Sequence, residues 1–220
     1  MREAQPSWNY LASASTAVGE AHDILDVATG GGEIFASLAP FPGRATAVEG
    51  YAPNVAVARA RLNPLGVSVF RGRAHTGMPF VNEAFDLVLN RHGGFRPAEM
   101  HRILKAGGVF LTQQVGGDNL FDLVAEFGAK LVRPENTLAQ VREELLALGF
   151  EIRDGREWRG PVEFFDVGAL VYFLKAIPWV VEGFDVDRHL EILRSFQARI
   201  SQGQPLQFTY TRFLIDALKP

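Results

Sequence analysis

The chain has no cysteine among its 220 residues. Disulfides, thiolate–zinc centres, iron–sulfur clusters and cysteine nucleophiles are therefore excluded. Basic residues are also short. Lysine and arginine number 22 against 25 acidic residues, the formal net charge is −3, and there is no Lys/Arg block. That balance argues against a nucleic-acid partner, because phosphate binding usually leaves a basic patch. No apolar run reaches the roughly 20 residues of a membrane helix. The most apolar stretch, 167–181, is interrupted by Lys175 and Pro178. The opening MREAQPSWNY has charges and no long apolar core, so no signal peptide is expected there. These absences fit a soluble cytoplasmic protein with no membrane partner. What is plentiful is apolar material: 47% hydrophobic residues with 17 Phe, enough for a full core and too much for a disordered chain.

Apolar runs and helical patterns alternate along the first half. Residues 22–28 (HDILDVA) read as a buried strand that runs straight into glycines. A helix follows over 33–38, ended by Pro40 and Pro42. Further strands are expected over 44–49, 67–71, 85–90 and 109–115, with helices over 54–62 and 97–105, the latter stopped by Gly107 and Gly108. Strand and helix alternating at this spacing argue for an α/β fold, a parallel sheet with helices on both faces. In the second half a helix over 138–148 ends at Gly149, a plausible C-cap. Strands are expected over 150–158 and 206–218, with helical patterns over 167–177 and 186–200 between them. No Pro-, Gly- or Ser-rich linker divides the chain, so one domain over 1–220 is expected, with an insertion or cap at about 164–204.

The strongest chemical signal is ILDVATGGGE, residues 24–33, where Gly30, Gly31 and Gly32 stand between a strand and a helix. In open α/β sheets ligands bind beyond the carboxyl ends of the strands, near the switch point. Glycine permits a sharp bend and close approach of a ligand, and the next helix offers N–H groups at its start. The dinucleotide fingerprint needs a third glycine three residues after the second, but that position is Phe35. There is no G-x-x-x-x-G-K-S/T either. A ligand without a pyrophosphate is favoured. Glu49 ends the second strand, in VEGY, where a carboxylate can accept hydrogen bonds from both hydroxyls of a ribose.

From Asp26 to about Val115 the chain resembles the class I S-adenosylmethionine (SAM)-dependent methyltransferase family. The family's first motif matches Asp26 with Thr29, Gly30, Gly31 and Gly32, and its acidic ribose-binding residue matches Glu49. The pair FDLVLNRHGGF and LKAGGVFLTQQVG matches its fourth and fifth strands. A bacterial branch with NRH after strand four and TQQVGG after strand five is most similar. The resemblance implies a Rossmann-like, mostly parallel seven-stranded sheet with the last strand antiparallel, and SAM as cofactor. The implied cofactor residues are Asp26, Thr29, Gly30, Gly31, Gly32, Glu49, Gly50, Arg73, Ala74 and Asn90. Two positions depart from the family pattern. Ala28 stands where a glycine is usual. Arg73 stands where an Asp often holds the adenine amine, and arginine has no acceptor. Its guanidinium is therefore expected to point away from the adenine edge or to stack on a ring, with backbone around Ala74 supplying the remaining contact.

Methyl transfer is an in-line displacement at an activated sulfonium carbon, so holding the nucleophile in line supplies much of the catalysis. A base is needed only when the nucleophile must lose a proton. The candidates are Asn90, Arg91 and His92, at the end of the fourth expected strand: His92 as a general base, Arg91 as an anchor for a substrate carboxylate or phosphate. Alternatively, His92 is a turn residue bonded to backbone. Gln113 and Gln114 end the fifth strand, and alternation lets one of them face the pocket. His75 and His101 read as surface residues, His22 and His189 as structural. Asp118 and Asn119 resemble the Asp-Asn metal pair of catechol-type methyltransferases, but they lie past the strand, and no metal is expected. The Asn/Asp-Pro-Pro-aromatic signature of amino-group methylation on bases is absent, and a cysteine adduct at cytosine C5 is excluded. The segment 164–184 carries Phe164, Phe165, Tyr172, Phe173, Trp179 and Phe184. It reads either as an apolar cap over a substrate or as packing against the sheet or a dimer partner. Trp8 and Tyr10 are placed to cover the cofactor from a first helix. The expected activity is methylation of an oxygen or nitrogen on a small molecule. The alternatives are RNA or protein methylation by the same fold, and a non-catalytic SAM-fold binding or scaffold protein.

Overall fold

The computed structural model describes residues 1–73 and 77–220. In chain order the elements are β1 (Arg2–Glu3), α1 (Tyr10–Glu20), β2 (Asp23–Val27), α2 (Glu33–Ala36), β3 (Arg44–Glu49), α3 (Ala52–Leu62), a 3-10 turn (Asn63–Leu65), β4 (Ser68–Arg71), β5 (Phe85–Arg91), α4 (Pro97–Ile103), β6 (Leu104–Val115), α5 (Phe121–Glu126), α6 (Leu138–Ala147), β7 (Glu151–Phe164), α7 (Val167–Ala176), α8 (Leu190–Ser201) and β8 (Leu206–Leu218). The α/β class is as expected. β2 pairs in parallel with β3 and β5, β3 with β4, and β5 with β6.

The sheet has eight strands rather than seven, in the order β1-β7-β8-β6-β5-β2-β3-β4. The additional strand is β1, a dipeptide antiparallel to β7, too short to leave a periodic signal. β8 runs antiparallel to β6. Lys219 bonds Gly107 and Gly108 at one end, and Thr211 bonds Gly116 at the other. The strand that was expected to start at residue 109 begins at Leu104. Phe85 pairs with Leu104, the register then shifts, and Leu87 pairs with Val109. The Lys-Ala-Gly-Gly segment read as a helix stop is therefore an irregularity within a strand.

The chain forms two compact units. One comprises residues 8–114, 138–156 and 213–220. The other comprises 1–7, 115–137 and 157–212. Each has its own apolar core. Leu25, Val88, Phe110 and Phe213 lie in the first, and Leu120, Phe164, Phe196 and Phe208 in the second.

Within the larger unit, β2 is buried along nearly its whole length, as a parallel strand covered on both faces must be. The chain runs out through β3 and β4, then returns to β5 on the other side of β2. The loops after β2 and β5 therefore diverge at a topological switch point. The opposite ends of the strands are closed by ion pairs between side chains. Lys105 binds Asp23 and Asp86, and Arg44 binds Asp23. The Lys105 hydrogen bond holds the Asp23 carboxyl below the usual carboxylate range. His22 joins this acidic cluster, and Lys105 and Arg44 already neutralise its carboxylates. α1 is started by Asn9, whose Oδ1 accepts from the Ala12 N–H at 3.1 Å. It buries Tyr10, Ala14 and Val18, one stripe at helical spacing.

Candidate active site

Six buried polar side chains lie at the carboxyl ends of the parallel strands: Asp26, Glu49, Asn90, Thr112, Gln113 and Gln114. Burial of such groups is costly unless they are hydrogen-bonded, so their partners define what this end of the sheet can do.

The turn after β2 is built from left-handed residues: Ala28 at φ 59°, Gly30 at 63° and Gly32 at 81°. Glycine adopts that conformation without steric penalty. At Gly30 an added Cβ would meet nothing within 4 Å, whereas at Gly32 it would strike Leu62 at 2.8 Å. The turn's N–H groups are largely used inside the protein. Thr29 N–H donates to Val48 O, Gly32 N–H to Thr29 O, and Gly30 N–H to Glu49 Oε2 at 2.7 Å. A turn so occupied is not a phosphate cradle, in keeping with the missing third glycine. The helix that follows is only four residues long and has no side-chain cap. Arg61, from α3, grips the turn from outside by bonding Gly31 O and Glu33.

Glu49 ties two loops together. Its Oε2 accepts from Gly30, and its Oε1 accepts from the Tyr51 N–H at 2.6 Å. Each oxygen keeps a second lone pair. Gly50 follows, and an added Cβ there would lie 2.7 Å from Arg73 Cγ. The stem of Arg73 therefore crosses directly over Gly50. Ala74 and His75 lie outside the described residues. Tyr51 is exposed beside this loop.

Asp26 is buried, and burial pushes its carboxyl up to about 7. The Glu49 charge acts in the same direction, and the neighbouring Thr29 hydroxyl opposes. Thr29 Oγ1 is itself buried, next to that carboxyl. Burial raises the Tyr10 hydroxyl too; the Asp26 charge adds to this and Arg91 opposes it. Tyr10 thus comes from α1 to the same electrostatic neighbourhood as Asp26 and Arg91.

The structure answers where the Ala28 methyl goes. A Cβ added at Gly93 would lie 2.4 Å from Ala28 Cβ. The Ala28 methyl thus fills the space that the missing side chain of Gly93 leaves, at the switch point between β2 and β5.

Asn90 is fully buried. Its Nδ2 donates to Val27 O at 2.9 Å, and its Oδ1 accepts from Thr112 Oγ1 and Gln114 Nε2. It braces β2, β5 and β6 from within. Gln113 and Gln114 take different partners, as alternation requires. Gln114 joins Asn90 and Thr112, and Gln113 joins Trp8 and His92. Arg91 is exposed. His92 sits at φ 58°, with its N–H on Gln113 O at 2.8 Å. The expected contact of a turn histidine with backbone is present, together with a side-chain contact the sequence did not suggest. Trp8, Thr112 and Arg61 were not singled out for these roles. A polar Thr112 inside the apolar run VFLTQQV was the available signal; Arg61 carries none.

In the smaller unit Asp118 is paired with Arg159, and Asn119 Oδ1 accepts from Thr211 N–H and Arg212. Their oxygens are engaged by cationic and N–H donors. The aromatic segment divides in two. Phe164 packs with Phe173 and Phe208, and Phe184 with Phe127 and His189. Phe165, Tyr172 and Trp179 are exposed. No helix among the described residues is long and apolar enough to cross a membrane.

Residues 24–108 match the model of a family described as the methyltransferase domain. That stretch of the chain is matched as a methyltransferase domain. A candidate methyltransferase from Bacillus halodurans superposes with a TM-score of 0.67 at 23% identity, covering 96% of this chain and 97% of that one. The YcgJ protein of Bacillus subtilis gives 0.67 at 21% identity, with the same coverage of 96% and 97%. Geranyl diphosphate C-methyltransferase from Streptomyces coelicolor, in complex with Mg2+, geranyl diphosphate and S-adenosylhomocysteine, gives 0.58 at 16% identity, over 96% of this chain and 78% of that one. These likenesses show the fold. No curated protein matches the chain. The matched stretch contains the glycine turn, Glu49, Asp26 and His92.

Proposed function

We propose that this methyltransferase moves the methyl group of SAM to an oxygen or nitrogen of a small molecule, and that SAM binds at the turn Thr29–Gly32 with its ribose on Glu49. The observation that carries the reading is the Glu49 carboxylate. It is fixed by one backbone N–H on each oxygen, with a lone pair left on each for a ribose hydroxyl. Three further features fit the group. Thr29 Oγ1 is buried in the turn beside the Asp26 carboxyl. The space over Gly30 is open. The turn's committed N–H groups suit a ligand without phosphate. When bound, SAM supplies an activated methyl carbon. The chain's own residues hold it: Glu49 sets the ribose, the turn bends around the methionine part, and Arg73 with Tyr51 borders the adenine end. Exposed Arg91, at the end of β5, anchors an anionic group of the acceptor. The net charge of −3 favours a small molecule over a nucleic acid.

Titration calorimetry with SAM and S-adenosylhomocysteine tests the cofactor half, using Gly30→Val as the control. A β-branched residue at φ 63° is a steric outlier, so this variant loses binding. If wild type binds neither ligand, or Gly30→Val binds as wild type does, the site assignment fails. Release of S-adenosylhomocysteine on incubation with panels of small hydroxylated and amino compounds tests the acceptor half. Turnover seen with RNA or protein but not with these panels refutes it.

A further inference from the structure

Trp8, Gln113 and His92 form a short chain of hydrogen bonds whose direction is fixed at one end. Trp8 Nε1 donates to Gln113 Oε1 at 2.8 Å. An indole nitrogen only donates, so the oxygen of the Gln113 amide must face Trp8. The amide NH2 then faces His92, and Gln113 Nε2 lies 3.1 Å from His92 Nε2. An amide nitrogen also only donates. His92 Nε2 is therefore the acceptor, and the hydrogen of the neutral ring is on Nδ1. No freedom of amide orientation remains, because turning Gln113 over would set its NH2 against the Trp8 N–H and leave buried donors facing each other. The partners sit on three elements. Trp8 precedes α1 and is 8% exposed, Gln113 is 6% exposed on β6, and His92 follows β5. Its backbone is pinned to the same residue, with His92 N–H on Gln113 O.

We propose that Trp8 and Gln113 are positioning residues that fix His92 as its Nδ1–H tautomer with the Nε2 lone pair engaged, so that His92 takes no proton from the acceptor in this arrangement. The proposal rests on reading the ends of β2 and β5 as the active site. It narrows the acceptor to a nucleophile whose lone pair is already available at the working pH, such as an unprotonated amine or heterocyclic nitrogen, or an ionised oxygen. That lone pair forms the bond to the methyl carbon while the carbon–sulfur bond breaks, and the bonding electrons leave on sulfur as a neutral thioether. No proton has to be removed for this step.

The test is long-range proton–nitrogen NMR of the full chain labelled with 15N-histidine, with His92 assigned by its loss in His92→Asn. Wild-type His92 should show the Nδ1–H pattern. In Gln113→Glu a carboxylate accepts from Trp8 and from the ring, so the hydrogen should move to Nε2. In Trp8→Phe the amide is no longer held, and the Nδ1–H population should fall, with Nε2–H signal appearing. A residue that only packs would lower the melting temperature without moving the tautomer. An Nε2–H pattern in wild type, or an unchanged tautomer in Gln113→Glu, overturns the proposal, and the second criterion stands even where Trp8→Phe fails to fold. SAM affinity is measured separately. Loss of SAM binding with the expected tautomer sinks the functional assignment and leaves this device intact. The wrong tautomer with normal SAM binding does the reverse.

Discussion

Replacing Gly93 by alanine is the sharpest probe of the switch point. Gly93 has an ordinary φ, so the backbone itself accepts a side chain. The obstacle is the neighbour. The new Cβ would lie 2.4 Å from Ala28 Cβ and 2.9 Å from Asn90 Nδ2. Carbon atoms in contact sit about 3.5–4.0 Å apart, and neither Cβ can rotate away, so one of the two loops must shift. Overpacking of this kind costs about 1–3 kcal/mol. Ala28→Gly works on the other partner. It relieves a left-handed alanine, worth about 1–2 kcal/mol, but adds unfolded-chain freedom of about 0.4–1 kcal/mol and leaves a gap. That single change should come out near neutral. The double variant removes the methyl–methyl clash and keeps only the contact with Asn90. It should recover much of the loss, with a coupling of about 1–3 kcal/mol, typical of residues in direct contact. Urea denaturation of the four proteins measures this, with the midpoint moving and the slope constant. Strict additivity of the two substitutions would refute the reasoning, because it would mean that Ala28 and Gly93 do not share the space.

Glu49→Ala should weaken SAM by up to about 1.5–3 kcal/mol for each ribose hydrogen bond lost, and lower the melting temperature as well, because the Gly30 and Tyr51 N–H groups lose their acceptor. Wild-type affinity in calorimetry contradicts the ribose assignment. For Asp26 the sign follows from a folded-state value of about 7 against an ordinary 3.8. The folded state keeps its proton where the unfolded chain has lost it, so this group's contribution to stability is full below about 4 and is lost as pH rises to about 7. Asp26→Asn should therefore gain stability over wild type on going from pH 5 to pH 8, read as the difference in denaturation midpoints; an equal difference at both pH values counts against it. Arg73→Asp should strengthen SAM binding by supplying the acceptor the adenine amine lacks. A weakening measured by calorimetry would assign Arg73 a part in binding that the family pattern does not contain.

Most of the frame was readable because parallel strands buried on both faces leave continuous apolar runs. Ile24 to Val27, broken only by Asp26, and Leu87 to Leu89 are such runs, and the glycines and prolines that follow them mark their ends. β8 was located over its whole length for the same reason. Lengths were misread where local chemistry and long-range pairing disagree. Gly107 and Gly108 look like a helix stop, yet the ladder with β5 carries the strand through them. α5, with its left-handed N-cap Leu120, has neither a cap signal nor enough turns to show a period. At the site the glycine turn and Glu49 were legible, since residue type and position together restrict what they can do. The hydrogen-bond partners were not. Asn90 stands near the end of a strand, and nothing local shows that Thr112 and Gln114 bond its side chain. Trp8 reaches Gln113 across 105 residues of chain, a separation on which local pattern is silent.

The two departures from the family pattern bear differently on a working cofactor site. Ala28 puts a methyl group where the family usually has none. Its Cβ is accounted for, since it lies against Gly93 in the loop after β5. The alanine is thus a matter between two loops of the protein, and the open space over Gly30, two residues on, is undisturbed. Arg73 is a different case. Its stem crosses Gly50, next to the carboxylate that the ribose reading requires. A glycine at position 50 is what lets that stem pass, so the two residues act as one feature. Of the two substitutions, Arg73 alone changes the chemistry presented beside Glu49, from an acceptor to a planar cation. Any difference in cofactor preference from the wider family should therefore be sought at Arg73 and Gly50, and not in the glycine turn.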